Sequence, residues 1–273
     1  MSESIIGIMW AKNEADVIKE VIEDALTKVD ALLFADDDST DGTWEIVKSF
    51  GNKLEYAARR EDTNKGKYPD RLWAKQHLLD EVRFRFGMKD VWVQVIESDI
   101  MILETDIREV VSKYSNFDVA LDWHTLNAIR PIWTLEDDSW PNWERSIKEV
   151  LTNAHWMEIM TYTFRPLPKI DYVLDYRPWP RGFSNYITSG VRSRGKKKRS
   201  DSPLLAHYGY RSPKHMSNKY GSVRYDKNPT WDTSTPESVL KTVHFFNGAW
   251  NTGSDTFPMS RKGWNSWLTG RPL

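Results

Sequence analysis

ALLFADDDSTDGT, residues 31–43, passes in thirteen positions from an apolar run to an acidic turn and on to a helix start. Residues 31–35 have the length and apolarity of a short buried strand. Asp36, Asp37, Asp38, Ser39, Thr40, Asp41 and Gly42 are turn-forming residues, and 43–50 read as a helix. The same alternation extends to both sides. Residues 5–9 form a β-rich run, and 14–28 place Val17, Val21 and Ala25, then Ile18 and Ile22, at helical spacing. Downstream come a strand at 54–57, a polar loop at 59–70 containing Gly66 and Pro69, and a helix at 71–86. A buried strand at 91–96 (VWVQVI), a helix at 104–113 and a strand at 118–121 complete the series. Strands alternating with helices imply βαβ units, and so an α/β domain with a mixed, mostly parallel sheet flanked by helices.

In open sheets of this kind ligands bind beyond the carboxyl ends of the strands. Lys12, Asn13 and Glu14 follow the first strand, Asp36 to Gly42 the second, and Glu97, Ser98 and Asp99 the fourth. Three strand ends therefore offer carboxylates to one rim. Their mutual repulsion calls for a bound cation or for hydrogen-bond donors, and a divalent ion with a nucleoside diphosphate would supply both.

ADDDSTDGT (35–43), preceded by KNE (12–14), resembles the nucleotide-binding signature of family-2 glycosyltransferases, which have the GT-A (Rossmann-like) fold. Asp38 stands where that signature has glycine. ESD (97–99) falls where the family carries its DxD motif, with Glu97 in place of the first Asp. The resemblance covers residues 4–122 and returns at PLLAHYGYRSPKHMSNKY (203–220). It implies an inverting, metal-dependent transfer from a nucleotide-diphosphate sugar, a UDP-sugar by expectation. Ala11, Asn13, Glu14, Asp36, Asp37, Arg71, Glu97, Ser98 and Asp99 would form the donor site, with Asp37 accepting from the base imide. Asp99, Glu97 and His207 would hold Mn²⁺ or Mg²⁺. By residue chemistry alone, Arg71 can equally pair with Asp70 or Asp80 on the surface, and His207 can hydrogen-bond to nearby backbone. The base that deprotonates the acceptor is sought first at Asp175, in IDYVLDYRPW, and then at Asp138, in WTLEDDSWPNW. Asp138 or Ser139 ahead of Pro141 would serve as well as a helix cap.

The formal net charge of -1 hides an asymmetry. Residues 1–180 hold 22 Lys+Arg and 34 Asp+Glu, a net of -12; residues 181–273 hold 16 and 5, a net of +11. The basic segment includes RSRGKKKR (192–199), with Arg192, Arg194, Lys196, Lys197, Lys198 and Arg199, which reads as a surface loop. A basic excess of this size suits a polyanionic acceptor: hydroxymethylated-base DNA, a phosphate-rich glycan or lipid headgroups. An envelope or glycan acceptor, and a non-catalytic nucleotide-sugar or polyanion-binding module, are the competing readings.

Zero cysteines exclude disulfides, thiolate metal sites and cysteine nucleophiles. No stretch approaches the ~18 apolar residues of a membrane helix, the first residues do not read as a signal peptide, and a cytoplasmic setting is expected. Six of the 14 tryptophans lie between Trp123 and Trp179, where they can fill a core or stack on an acceptor. The expected organisation is a nucleotide-sugar-binding part, 1–122, and an irregular, basic acceptor-side and lid region, 123–273, of one domain.

Overall fold

The computed structural model describes residues 3–63, 73–103, 106–114, 119–129, 153–168, 170–177, 186–193, 196–209, 235 and 257–258. The chain divides into two compact units. The first comprises Met1–His124, Ile159–Asp175 and Thr188–Leu205; the second comprises Thr125–Glu158, Tyr176–Ile187 and Ala206–Leu273.

The first unit is built on β1 (Ser4–Ala11), β2 (Ala31–Asp36), β3 (Tyr56–Arg59) and β4 (Val91–Glu97), with helices α1 (Ile18–Leu26), α2 (Thr43–Ser49) and α3 (Trp73–Phe86). β1 pairs in parallel with both β2 and β4, and β2 in parallel with β3. Every residue of β4 from Val91 to Ile96 is buried, as expected of a strand covered on both faces. On α1, Ile18, Val21, Ile22 and Ala25 are buried, so the helical spacing read from the sequence is the core-facing stripe. Gly7 lies on β1 where an added Cβ would sit 2.9 Å from a Leu32 methyl, so a larger residue there would have to displace that buried side chain.

The remaining described elements are β5 (Ile100–Leu103), α4 (Ile107–Ser112), β6 (Val119–Ile129), β7 (Asn153–Phe164), β8 (Ile170–Arg177), β9 (Tyr186–Ser193), β10 (Lys196–His207) and β11 (Phe257–Pro258). The larger sheet runs β3-β2-β1-β4-β7-β6-β10-β5, with β11 on β7, and β8 pairs with β9 in a separate ribbon. β7 joins β4 antiparallel through Val93↔Phe164 and Gln94↔Thr163. This gives the mixed, mostly parallel sheet expected. A buried polar contact marks that junction: Thr163 Oγ1 donates to Gln94 Oε1 at 2.7 Å.

Three differences from the sequence reading have physical causes. β5 follows β4 after only Ser98 and Asp99, too short a break for an apolar-run argument to divide. β3 begins at Tyr56, not Leu54, because Leu54 caps the short 3-10 turn of Gly51–Lys53. Within the basic run, Arg192 and Lys196 to Arg199 lie in strands β9 and β10 and not in the loop expected; Arg194 lies outside the described residues.

Beside β3, Tyr56 Oη lies 2.7 Å from His77 Nε2, and the His77 ring stacks on Trp73. Burial raises the Tyr56 phenol above its ordinary 10.0; Glu81 adds to the rise and Arg85 opposes it. The folded chain therefore keeps this proton at a pH where the unfolded chain has lost it. The stability tied to it is present below pH 10 and declines as pH rises from there through the folded value. Tyr56→Phe is expected to make the alkaline fall in stability shallower, as read by urea midpoints between pH 9 and 11. An identical pH profile would dismiss the link.

Candidate active site

The register sets the site. Ala11 faces Asp36 across β1–β2, and Trp10 faces Glu97 across β1–β4. The carboxyl ends of three adjacent strands are thus level to within one residue. Asp36 and Glu97 stand two strand spacings apart, about 10 Å.

The loop after β1 is laced to the acidic turn after β2. Asn13 N donates to Ser39 Oγ at 2.9 Å, and Thr40 N donates to Asn13 Oδ1 at 2.8 Å. Glu14 N donates to Thr43 Oγ1 at 2.9 Å, and Ala15 N to Asp41 Oδ2 at 3.0 Å. Ser39, Thr40, Asp41 and Thr43 therefore brace the turn against the loop after β1. Asn13 and Asp38 take left-handed backbone, with φ of 57° and 56°, a conformation that Asn and Asp tolerate better than most residues. Asp38 thus adopts a glycine-like turn. Its Oδ1 also accepts from Glu61 N at 3.1 Å, a bond glycine cannot make.

The carboxylate repulsion predicted from the sequence is met from within the chain. Asp36 is fully buried; its Oδ2 accepts from Ser39 N at 2.9 Å and from Arg59 Nε at 3.3 Å. Asp37 Oδ1 accepts from an Arg60 guanidinium nitrogen at 3.0 Å, and Lys12 Nζ lies 3.6 Å from Asp37 Oδ2. The β2–β3 register, Asp36↔Arg59, thus carries on past the strand ends as Asp37 with Arg60 and Asp38 with Glu61 N. The other oxygen of Asp36, Oδ1, is buried and has no hydrogen-bond partner among the described residues.

At the end of β4, Ser98 and Asp99 are buried and Glu97 is half-buried. Lys75 of α3 faces Glu97 electrostatically, and its ammonium sits 4.5 Å over the Trp10 ring. Burial pushes the Lys75 ammonium below the usual lysine range, and Glu97 opposes the shift. Glu97 and Asp99 are hard oxygen donors, and Mg²⁺ typically takes one or two carboxylates and completes its shell with phosphate and water. The pair is chemically suited to such an ion. Among the described residues no three His, Cys, Asp or Glu side chains gather into a metal cage.

Of the expected site residues, Ala11, Asn13, Glu14, Asp36, Asp37, Glu97, Ser98 and Asp99 come to this rim. Arg71 and Asp138 lie outside the described residues, Asp175 is on β8, and half-buried His207 ends β10 within the second unit. Arg59, Arg60 and Lys75 were missed. The adjacent pair Arg59 and Arg60 after a strand was a visible signal; Lys75 had none, because only the packing of α3 on β1 brings it to Trp10 and Glu97.

Residues 8–147, about half of the chain, match the family model described as glycosyl transferase family 2. The chain belongs to that family. A comparison with curated proteins gives no match. Among solved structures, S. aureus TarS 1–349 in complex with UDP is 17% identical, over 60% of this chain and 47% of that one, with a TM-score of 0.35. Glucosyl-3-phosphoglycerate synthase from Mycobacterium tuberculosis, in complex with phosphoglyceric acid, is 22% identical, over 46% and 44%, at 0.32. The chain spans less than half the length of either.

Proposed function

We propose that this chain is an inverting, metal-dependent glycosyltransferase that moves a sugar from a UDP-sugar to an acceptor hydroxyl. The observation that carries the reading is the flush rim of β1, β2 and β4, where Asp36 and Asp37 stand across β1 from Glu97, Ser98 and Asp99, in a chain of this family. Asp37 accepts from the imide of the base, and Glu14 with the backbone at Ala11 and Asn13 lines the nucleoside pocket. Asp99 and Glu97 would hold Mg²⁺ or Mn²⁺, which when bound neutralises charge on the departing diphosphate. Asp175, with Asp138 as the second candidate, takes the proton of the acceptor hydroxyl as its oxygen bonds to the anomeric carbon. The bond from that carbon to the diphosphate oxygen breaks in the same step on the opposite face, and UDP leaves with that bond's electron pair.

A panel of nucleotide sugars with Mn²⁺ tests the donor half. Slow release of free nucleoside diphosphate is expected from a UDP-sugar. Absence of both turnover and thermal shift with every donor would sink the reading.

The acceptor half of the proposal is a polyanion bound through the basic segment 181–273, with hydroxymethylated-base DNA as the first candidate. The excess of +11 in that segment supports it. Charge neutralisation of Arg192, Arg194, Lys196, Lys197, Lys198 and Arg199 is expected to flatten the fall of DNA affinity with salt. The log–log slope should drop by up to ~0.9 for each phosphate that the variant no longer neutralises. Lack of DNA binding even at low salt would turn the search to envelope glycans.

A further inference from the structure

Asp37 carries a separate cation on each oxygen. Arg60 sits on Oδ1 at 3.0 Å, and Lys12 on the Oδ2 side at 3.6 Å. The three groups come from three chain segments. Asp37 N donates to Ala11 O at 2.9 Å, which sets the carboxylate beside the loop that bears Lys12. Arg60 follows the last paired residue of β3, and its carbonyl accepts from both Thr63 N at 3.2 Å and Thr63 Oγ1 at 3.0 Å. The set opens to solvent, with side-chain exposures of 57% for Lys12, 28% for Asp37 and 18% for Arg60.

In hydrogen-bond terms this is donor, acceptor, donor. An ammonium has three N–H donors and a guanidinium five, so each can serve Asp37 and a ligand carbonyl together. The complementary edge is carbonyl, N–H, carbonyl: the imide of uracil. Cytosine presents an amine, a bare ring nitrogen and a carbonyl, which turns an acceptor toward the carboxylate and a donor toward a cation. Guanine presents a carbonyl, an N–H and an amine, which turns a donor toward a cation.

We propose that Lys12 and Arg60 are specificity-determining residues that read the two carbonyls flanking the base imide and so select uridine diphosphate donors. The proposal rests on the reading of this rim as a nucleotide-sugar site with Asp37 on the base. It goes beyond that reading by assigning base discrimination to two cations that also neutralise Asp37. A purely neutralising role would weaken every nucleotide alike when a cation is removed. A reading role changes the ratio between bases.

The test is calorimetric binding of UDP, N3-methyl-UDP, CDP and GDP, with Mn²⁺, to the full chain and to Lys12→Met, Arg60→Met and Arg60→Lys. The unsubstituted chain is expected to bind UDP at least about tenfold tighter than the other three, because a site built around polar partners rejects mismatched ones strongly. Each methionine variant is expected to shrink the UDP-to-CDP ratio by about tenfold, in the range of a charged hydrogen bond, and Arg60→Lys to restore part of it. Lys12 is mostly exposed, so Lys12→Met keeps the test valid where Arg60→Met fails to fold. An unchanged ratio in folded methionine variants, or CDP or GDP binding as tightly as UDP, would overturn the assignment while leaving the donor site standing. Failure of all four nucleotides to bind the unsubstituted chain would instead overturn the donor-site reading, and this assignment with it.

Discussion

Asp99→Ala is expected to lower sugar transfer by roughly 10²–10³-fold, the scale of removing one preorganised charge-stabilising group from a site closed to water. Asp99 is 3% exposed, on a two-residue turn between β4 and β5. It cannot move far, and its loss cannot be made good by a flexible neighbour. Glu97, at the edge of the same turn, shares its charge with Lys75. Glu97→Ala is therefore expected to cost less. The informative measurement pairs turnover with UDP affinity at several Mn²⁺ concentrations. Asp99→Ala should remove the metal dependence of UDP binding and leave a residual metal-independent affinity through Asp37. Asp99→Asn, which keeps the shape, separates a charge effect from a folding effect. Full activity in either variant would refute the ligand role.

Glu3→Ala is expected to produce the largest loss of stability, about 3 kcal/mol by analogy with stranding one partner of a buried ion pair. The cluster lies at the opposite ends of the same strands. Arg165 is 7% exposed, its guanidinium lies 4.5 Å over the Trp92 ring, and it pairs with Glu3. Trp92 Nε1 also donates to Glu3 Oε2 at 2.8 Å. Removing Glu3 takes away an acceptor of a buried indole and one ion-pair partner of a buried guanidinium at once. A fall in melting temperature of about 6–12 °C follows for a unit of this size. UDP affinity should not change, because the donor rim is at the other end of β1 and β4. A loss below about 1 kcal/mol would mean that water reaches Arg165.

The contrast between these two variants follows the general division of labour in a parallel sheet. Ligand groups collect past the carboxyl ends of the strands, and groups at the amino ends serve stability. Glu3 and Glu97 are both acids flanking apolar runs, but Glu3 precedes its run and Glu97 ends its own. Strand direction separates them.

Much of the first unit was legible because its signals are local. The run 31–35 is apolar and short, the acidic turn follows without a gap, and Gly42 takes the left-handed φ of 93° that a tight helix entry requires. α1 appeared with its buried stripe because helical periodicity needs no knowledge of the partner surface. β5 stayed hidden because four apolar residues after a two-residue turn carry no period of their own. The basic run looked like a loop because charge density argues for solvent, while the pairing that makes β10 a strand comes from other parts of the chain.

The net charge of -1 looked like a balance between an acidic donor half and a basic acceptor half. The amino-acid sequence by itself determined the α/β class, the order of its first strands and helices, and the presence of carboxylates at three strand ends, because each of these depends on residues adjacent in the chain. What only the tertiary structure decided is how those carboxylates are balanced. Arg59 meets Asp36, Arg60 and Lys12 meet Asp37, and Lys75 lies within electrostatic range of Glu97. The first three pairings cross from one strand end to the next and the fourth from a helix to a strand end, and strand register and helix packing, set by residues distant in sequence, are what bring them together.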